Sequence, residues 1–331
     1  MTAASDERTA RMALATVSEP ADVITGTLVA RVGPIETLAL LESRTGLPSG
    51  IDPAEGELWR RRLAARLNPD EPDRVAARME QHQLRMITPD DAVWPAELRH
   101  LGSTTPLVLW LRGDPAPLSA PLEERVTMVG ARAATSYGDH IAGELATDLV
   151  GRGKVIVTGG AYGIDAAAIR AVMATAPGRV VVVLASGLDR PYPAGHEDLF
   201  PHVAATGGLL VSELPPGSAP TKWRFLQRGR LLAALGGATI VVEAGPRSGS
   251  LYVASIANAL GRPVAAVPGP LTSPTSAGTH RLIKDGFAQL VVNADDVLAL
   301  TDPSVRYARE RTFPSSPLSH RNTRRGADLV R

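Results

Sequence analysis

The sequence predicts an α/β protein with a Rossmann-like, doubly wound and mostly parallel sheet, preceded by a small helical domain. Two patterns in the 331 residues predict this fold. From residue 122 onward, short β-branched runs alternate with alanine-rich stretches, and continuous apolar strands separated by helices are typical of a parallel sheet covered on both faces. Before residue 87, apolar residues instead recur at helical spacing.

The helical domain is predicted over residues 1–86. Leu38 and Leu41, and then Trp59, Leu63 and Leu67, follow the period of a helix, with Gly-Pro and Pro-Ser-Gly breaks between them. Residues 87–121 are predicted to be a lead-in segment and linker, because the apolar run PLVLWLRGD reads as a strand and turn and three prolines follow it.

The Rossmann-like domain is predicted over residues 122–300. Its strands are expected at Val126–Val129, Val155–Val157, Val180–Leu184, Leu209–Val211, Thr239–Glu243, Val264–Val267 and Leu290–Val292. Its helices are expected to begin near Asp139, Ile164, Gly195, Lys222, Ser250 and Ala294. The remaining residues, 301–331, are rich in arginine and proline, which predicts a basic, disordered tail.

Composition excludes several classes of protein. With 44% hydrophobic and 21% charged residues the chain can bury a core, and without cysteine it has neither disulfides nor thiolate metal sites. The N-terminus has no apolar signal-like region, and the most apolar run, Val180–Leu184, is far shorter than a membrane span, so we expect a cytoplasmic protein without a membrane partner. No metal site is expected, because the histidines lack paired ligand spacing; His100, His140, His196, His202 and His280 are expected at the surface or as caps.

Glycine-rich turns follow three of the predicted strands. The first contains Gly130-Ala131-Arg132, the second runs from Thr158 to Asp165, and the third follows Glu243 as AGPRSGS. Further tight turns are expected at 267–270 and 276–280. Ligands of such sheets bind at the carboxyl ends of the strands, and the N–H groups of a helix start carry partial positive charge. Two of these turns, the one from Thr158 to Asp165 and the one after Glu243, lead directly into a helix, and two on one edge predict an extended polyanionic ligand.

A basic segment, PPGSAPTKWRFLQRGR, spans residues 215–230 and contains no acid. The whole chain has a net charge of only +1, so this clustering is local. Cations neutralise backbone phosphate and aromatic rings stack on unpaired bases, which favours single-stranded nucleic acid as the ligand. The alternative is that Trp223 and Phe225 pack on the sheet and the cations form a solvated helix face.

Dehydrogenase chemistry is disfavoured. An acidic residue that would bind ribose is expected about 20 positions after a dinucleotide-binding turn. That place holds Leu184-Ala185, so no nicotinamide cofactor is predicted.

Seven motifs together resemble the DNA processing protein A family, also called DprA or Smf. They are VTMVGARAATSYG, VIVTGGAYGIDAAA, VVVVLASGLDRPYP, LLVSELPPGSAPTKWRF, ATIVVEAGPRSGSL, RPVAAVPGP and SAGTHRLIKDG, in the family's order over residues 110 to 300. The resemblance implies a cytoplasmic single-stranded-DNA-binding protein of natural transformation that protects incoming strands and loads RecA recombinase onto them. It further implies a homodimer, no catalytic activity and no cofactor.

The resemblance also implies a DNA-binding pocket. Carried over by motif, the pocket contains Arg132, Gly159, Gly160, Ala161, Gly163, Lys222, Arg228, Arg230, Ser248 and Gly249. Five positions depart from the family pattern: Leu226 replaces a proline, Gly229 an asparagine, Ile169 a histidine, His196 an asparagine and Val253 a threonine.

Two alternatives to DNA binding stay open at this point. A nucleotide phosphoribohydrolase-like enzyme would use Glu213 or Glu243 as its catalytic acid, although its expected Pro-Gly-Gly-x-Gly-Thr turn is reduced here to Pro268-Gly269-Pro270. A divergent scaffold that binds a protein partner and no DNA would explain the pocket departures and the additional helical domain.

Overall fold

The computed structural model describes residues 6–43 and 46–302. The chain divides into two compact units, each built from segments that are separated in sequence. Unit 1 consists of Met1–Arg112, Leu184–Tyr192 and Leu210–Arg228, and unit 2 of Gly113–Val183, Pro193–Leu209 and Gly229–Arg331. The boundaries predicted from the sequence remain a prediction, and the predicted basic tail lies almost wholly outside the described residues.

Unit 1 begins with four helices. They are α1 (Glu7–Val17), α2 (Val23–Glu42), α3 (Pro53–Ala64) and α4 (Glu71–Gln81), and strands β1 (Arg85–Ile87) and β2 (Leu109–Gly113) follow them. Asp6, Asp22 and Asp52 cap the first three helices by accepting hydrogen bonds from backbone N–H groups of the first turn. The predicted helical character of the N-terminal region is therefore confirmed.

The helices of unit 1 enclose an apolar core. Leu14, Leu28 and Leu63 pack there around Trp59, whose Nε1 donates to Thr25 Oγ1 at 2.8 Å. Helix α2 is long and apolar enough to cross a membrane by length and composition alone. It is interrupted at Gly33, where φ is +83°, and it contributes side chains to this core. Leu28, Leu40 and Leu41 of α2 are buried in this core, whereas Val23 and Ile35 are exposed.

Unit 2 contains most of the α/β fold. Its strands are β3 (Arg125–Val129), β4 (Val155–Thr158), β5 (Val180–Val183), β7 (Ala238–Val241), β8 (Val264–Ala266) and β9 (Gln289–Leu290). Its helices are α5 (Ser136–Gly151), α6 (Ile164–Thr175), α7 (Leu199–Ala205), α9 (Gly249–Ala259), α10 (Ala277–Lys284) and α11 (Ala294–Thr301). Strand β6 (Leu209–Ser212) and helix α8 (Lys222–Leu235) run across the division between the units.

The strands form one sheet in the order β1-β2-β6-β5-β4-β3-β7-β8-β9. Strand β1 is antiparallel to β2, whereas β3 is parallel to both β4 and β7, with Val126 opposite Ile156 on one side and Ala238 on the other. The chain adds strands to one side of β3 and then returns to its other side, so the order reverses there, which defines a doubly wound sheet. The predicted fold class is confirmed.

Two predicted elements were wrong in detail. Residues 276–280 were predicted as a tight turn, but they begin helix α10. Gly278 is there because its Cα approaches the backbone closely: a Cβ atom would lie 2.6 Å from the carbonyl oxygen of Ala244. The helix predicted near Gly195 is only a short 3-10 turn, and α7 starts at Leu199.

Candidate nucleic-acid interface

The three predicted turns lie at the carboxyl ends of neighbouring strands in unit 2. They follow β4, β3 and β7, which are adjacent in the sheet, and the strand order reverses at β3. Ligands of doubly wound sheets bind outside the carboxyl ends of the strands at such a reversal. We call residues 130–135, 159–163 and 242–249 the strand-end rim.

The turns after β3 and β4 are packed directly against each other. At Gly163 φ is +69°, and a Cβ atom there would lie 2.3 Å from the carbonyl oxygen of Ala131 and 2.6 Å from that of Arg132. Ile164 N–H donates to the same Ala131 oxygen at 3.2 Å. Only glycine at residue 163 allows the two backbones to approach so closely. This close approach places the exposed Arg132 beside the turn that contains Gly159, Gly160 and Ala161.

The turn after β4 is held internally by Asp165. This buried carboxylate, in the first turn of α6, accepts a hydrogen bond from Ala161 N–H at 3.1 Å. A helix N-terminus is stabilised by nearby negative charge, and Asp165 already supplies that charge at the start of α6. This role of Asp165 was not predicted from the sequence, although an acid at the second position of a predicted helix was the available signal.

His196 supports the same turn from beneath. The side chain is 2% exposed, and its Nδ1 lies 3.1 Å from the carbonyl oxygen of Gly160. Its ring meets those of Tyr162 and Phe200 edge-on at 4.8 and 5.4 Å. Burial lowers the pKa of His196, against the opposing effect of the Gly160 hydrogen bond. The expectation that His196 lies at the surface or caps a helix was wrong, because its side chain is buried. Its contact with Gly160 joins residues 36 positions apart, so no local pattern in the sequence indicated it.

Glu243, at the end of β7, anchors the rim. It is 1% exposed and accepts hydrogen bonds from Thr135 N–H at 2.9 Å, Thr135 Oγ1 at 2.6 Å and Thr275 Oγ1 at 3.0 Å. Thr135 in turn caps α5 by accepting from Gly138 N–H. The carboxylate therefore holds the turn after β3 against the segment that leads into α10, as expected for a structural strand-end acid.

Ser248 and Gly249 form the start of α9. Ser248 Oγ lies 2.7 Å from Ser250 Oγ and accepts weakly from Ser250 N–H at 3.4 Å. Among the residues that the structure describes, no atom comes within 4 Å of a Cβ atom placed on Gly249. Unlike α6, helix α9 has no acid in its first turn, so its N–H groups remain suited to an anion from outside.

The start of α8 belongs to unit 1 and presents charge and aromatic surface together. Lys222 is exposed and Trp223 is 53% exposed, so the alternative in which Trp223 packs on the sheet is wrong. Phe225 is half-buried; Tyr192 meets its ring edge-on at 5.7 Å, and the guanidinium of Arg228 lies 5.6 Å from the ring centre.

The second half of α8 belongs to unit 2 and is buried. Arg230 is 4% exposed, in contrast to Lys222. At Gly229 a Cβ atom would lie 3.3 Å from the Tyr252 ring and 3.4 Å from Val253 Cγ2. Two departures from the family pattern, Gly229 and Val253, are therefore neighbours, and Ile169 lies in the buried face of α6.

The ten predicted site residues thus divide by unit. Unit 2 brings seven of them to the strand-end rim: Arg132, Gly159, Gly160, Ala161, Gly163, Ser248 and Gly249. Arg230 lies on α8 in the same unit, whereas Lys222 and Arg228 belong to unit 1. Across residues 6–43 and 46–302, no three histidine, aspartate or glutamate side chains are grouped so that they could hold a metal ion.

Residues 85–302 match the sequence model of the family described as DNA recombination-mediator protein A. The chain belongs to this family. Over 319 residues it is 43% identical to a Mycobacterium tuberculosis protein that carries the DprA name, covering 92% of this chain and 78% of that protein. Over 235 residues it is 34% identical to the DNA processing protein DprA of Bacillus subtilis, covering 71% and 77%.

Solved DprA structures have the same fold. DNA processing protein A from Streptococcus pneumoniae superposes with a TM-score of 0.69 at 27% identity, covering 87% of this chain and 95% of that one. The protein from Helicobacter pylori, described for its single-stranded DNA binding mode, superposes with a TM-score of 0.59 at 30% identity, covering 65% and 94%. The resemblance to the DprA family inferred from the motifs is confirmed.

Proposed function

We propose that this DprA-family protein binds single-stranded DNA without strong sequence preference. The observation that carries the proposal is the strand-end rim of unit 2, where Gly163 packs the turn after β4 against the turn that presents Arg132. The Helicobacter pylori relative, which is described as binding single-stranded DNA, supports the same ligand.

The phosphate contacts are assigned to groups in each of the two units, the strand-end rim in unit 2 and the start of α8 in unit 1. Helix α9 offers N–H groups and the Ser248 hydroxyl at an N-terminus without an acid, whereas Asp165 already occupies the corresponding position in α6. Arg132 and Lys222 are exposed cations that neutralise phosphate, and the exposed ring of Trp223 is available to stack on a base.

Membership of the family supports a proposed biological role. We assign to this protein the protection of incoming strands in natural transformation, the loading of RecA recombinase, assembly as a homodimer and a cytoplasmic location. The role is non-catalytic and requires no cofactor. Three hydrogen bonds to the Glu243 carboxylate support this part of the proposal, because they occupy one of the two acids, Glu213 and Glu243, that a phosphoribohydrolase could use.

The test is fluorescence anisotropy of labelled oligo-dT and of a matching duplex, measured across a salt series. The double variant Arg132→Glu/Lys222→Glu reverses two exposed charges, and Arg99→Glu is the matched control at another exposed arginine. We expect preference for the single strand, a loss of binding in the double variant, and a wild-type salt dependence with a slope of about 0.7 per phosphate contact.

Two outcomes would contradict the proposal. If the oligo-dT affinity of the double variant stayed within a factor of two of the wild type, Arg132 and Lys222 would not contribute to the binding site. If the protein bound duplex and single strand equally well, single-stranded DNA would not be its specific ligand. Release of free base from nucleoside monophosphates would instead support the hydrolase, and retention of RecA without DNA binding would support the scaffold. RecA loading itself is measured by RecA filament formation on oligo-dT covered with single-strand-binding protein.

A further inference from the structure

The connection between α1 and α2 contacts the start of α8 within unit 1. Glu19, in this connection, accepts two hydrogen bonds from Arg224: Nε donates to Oε2 at 2.9 Å and Nη2 to Oε1 at 3.0 Å. The Nη1 of Arg224 donates to the carbonyl oxygen of Ala219 at 2.8 Å. The two parallel hydrogen bonds match the planar guanidinium of Arg224 to the planar carboxylate of Glu19, so they fix the orientation of the two side chains as well as their separation.

The helical region makes further contacts to the same part of unit 1. Arg66, just after α3, places Nη1 3.8 Å from Glu19 Oε1 and donates to the carbonyl oxygen of Val17 at 3.1 Å. Arg78, on α4, donates to the carbonyl oxygen of Pro216 at 3.1 Å, in the loop that leads into α8. Side chains thus tie the start of α8 and the loop before it to the α1–α2 connection and to α4, and Arg66 braces Glu19 from the segment after α3.

The first turn of α8 needs such support for an electrostatic reason. It contains Lys222 and Arg224 and no acid, although the N-terminus of a helix favours negative charge. Thr221 caps the turn by accepting from Arg224 N–H at 3.2 Å. An acid within this turn would repel phosphate, so the negative charge has to come from elsewhere in the chain, and Glu19 supplies it.

We infer that Glu19 is a positioning residue for DNA binding, and that Arg224 anchors α8 to it and is not a phosphate ligand. This inference rests on the proposed function. Arg224 lies in the basic segment, but its side chain is only 18% exposed and is directed to Glu19 and Ala219. Its neighbours Lys222 and Trp223 are the exposed groups, and their placement depends on the Glu19 contact.

The test compares four variants of the full chain. Glu19→Gln and Arg224→Gln each break the pair, and Lys222→Gln removes an assigned phosphate contact. Glu57→Gln is the matched control, because it makes the same charge change in an acid that pairs with Arg60 and Arg61 within α3. Each variant is measured by hydrogen exchange over residues 222–226 and by oligo-dT anisotropy across a salt series.

We expect Glu19→Gln and Arg224→Gln to accelerate exchange in the first turn of α8 and to weaken oligo-dT binding on the order of threefold, the size of a partly exposed pair at a helix start. Their salt slopes should equal that of the wild type, whereas Lys222→Gln should lower the slope by about 0.7. The double variant of Glu19 and Arg224 should bind no more weakly than either single variant, and Glu57→Gln should match the wild type.

Three results would overturn the inference. Tighter binding with a steeper salt slope in Glu19→Gln would make Arg224 a phosphate ligand that Glu19 restrains, and a reduced slope in Arg224→Gln would do the same. If both single variants left hydrogen exchange over residues 222–226 unchanged, Glu19 would not position the start of α8. If the wild type bound no oligo-dT, the proposed function would fail, and the exchange data would still decide whether Glu19 holds the start of α8.

Discussion

The backbone at Gly163 approaches Ala131 so closely that a Cβ atom at residue 163 would lie 2.3 Å from the Ala131 carbonyl oxygen. No side-chain movement relieves this contact, because the opposing atom belongs to the backbone. The turns after β3 and β4 therefore keep their relative position only with glycine at residue 163.

Replacing Gly163 with alanine should destabilise the protein by about 1–3 kcal/mol, from strain at positive φ together with the backbone contact. Oligo-dT affinity should fall as well, since Arg132 is displaced. Urea unfolding and anisotropy measure the two effects. Gly153→Ala is the control: Gly153 also has positive φ, +82°, but within the described part of the chain nothing lies within 4 Å of a Cβ atom there. Equal losses in the two variants would contradict a role for the close contact.

Replacing Glu243 with glutamine should lower the free energy of unfolding by about 1–3 kcal/mol. With its amide oxygen placed on Thr135 N–H, glutamine must donate its NH₂ to the hydroxyls of Thr135 and Thr275, so the stronger, charge-assisted hydrogen bonds that the carboxylate accepts are lost. Chemical denaturation measures the loss. Glu144→Gln, at an exposed acid paired with His140, provides the comparison and should change stability little. Wild-type stability in the Glu243 variant would show that the carboxylate does not anchor the rim.

Stability should decrease as the pH falls below about 6.5, in part through His196. Burial lowers its pKa in the folded protein, so between the folded and unfolded pKa values only the unfolded chain binds the proton, and protonation favours unfolding. The positive charge of Arg170 also disfavours the imidazolium and so acts in the same direction as burial. His196→Asn should flatten the curve of unfolding free energy against pH, and His140→Gln, at an exposed histidine, is measured alongside it as the comparison. A curve that keeps its wild-type slope in His196→Asn would rule the histidine out.

Trp223 should report DNA binding directly. It is 53% exposed, whereas Trp59, Trp94 and Trp110 are each less than 10% exposed, so quenching of fluorescence by oligo-dT should come from this residue. Trp223→Ala should lose about 1–3 kcal/mol of binding free energy for each stacked base, without loss of stability, and Trp223→Phe should retain most of the affinity. Full quenching in Trp223→Phe would place the nucleic acid elsewhere.

The order of the fold and the position of the strand-end turns were predictable from the sequence. Apolar β-branched runs followed by glycine and serine identify the ends of β3, β4 and β7 because both signals are local. Helix α10 was not predicted, because local signals alone misidentify its first residues. Gly278 resembles a turn residue, and its actual role, packing against the carbonyl oxygen of Ala244, depends on a part of the chain more than 30 residues away.

The residues that support the site were not predictable in this way. His196 was grouped with surface histidines because its contact with Gly160 is formed by folding, and Arg224 was indistinguishable from the other cations of its segment until Glu19 was placed beside it. Gly229 and Val253 are far apart in sequence, yet they are neighbours in the fold: a Cβ atom at residue 229 would lie 3.4 Å from Val253 Cγ2.

The composition of unit 1 has a consequence for how the protein is made. Its segments end at Arg112, Tyr192 and Arg228, so the first four helices are synthesised well before the last segment they pack with. At about 5–20 residues per second, the ribosome needs roughly 6–23 s to advance from residue 112 to residue 228. Throughout that interval Glu19 and Arg78 lack Arg224 and Pro216 as partners, and a nascent chain stalled before residue 210 would expose a surface that the finished protein covers.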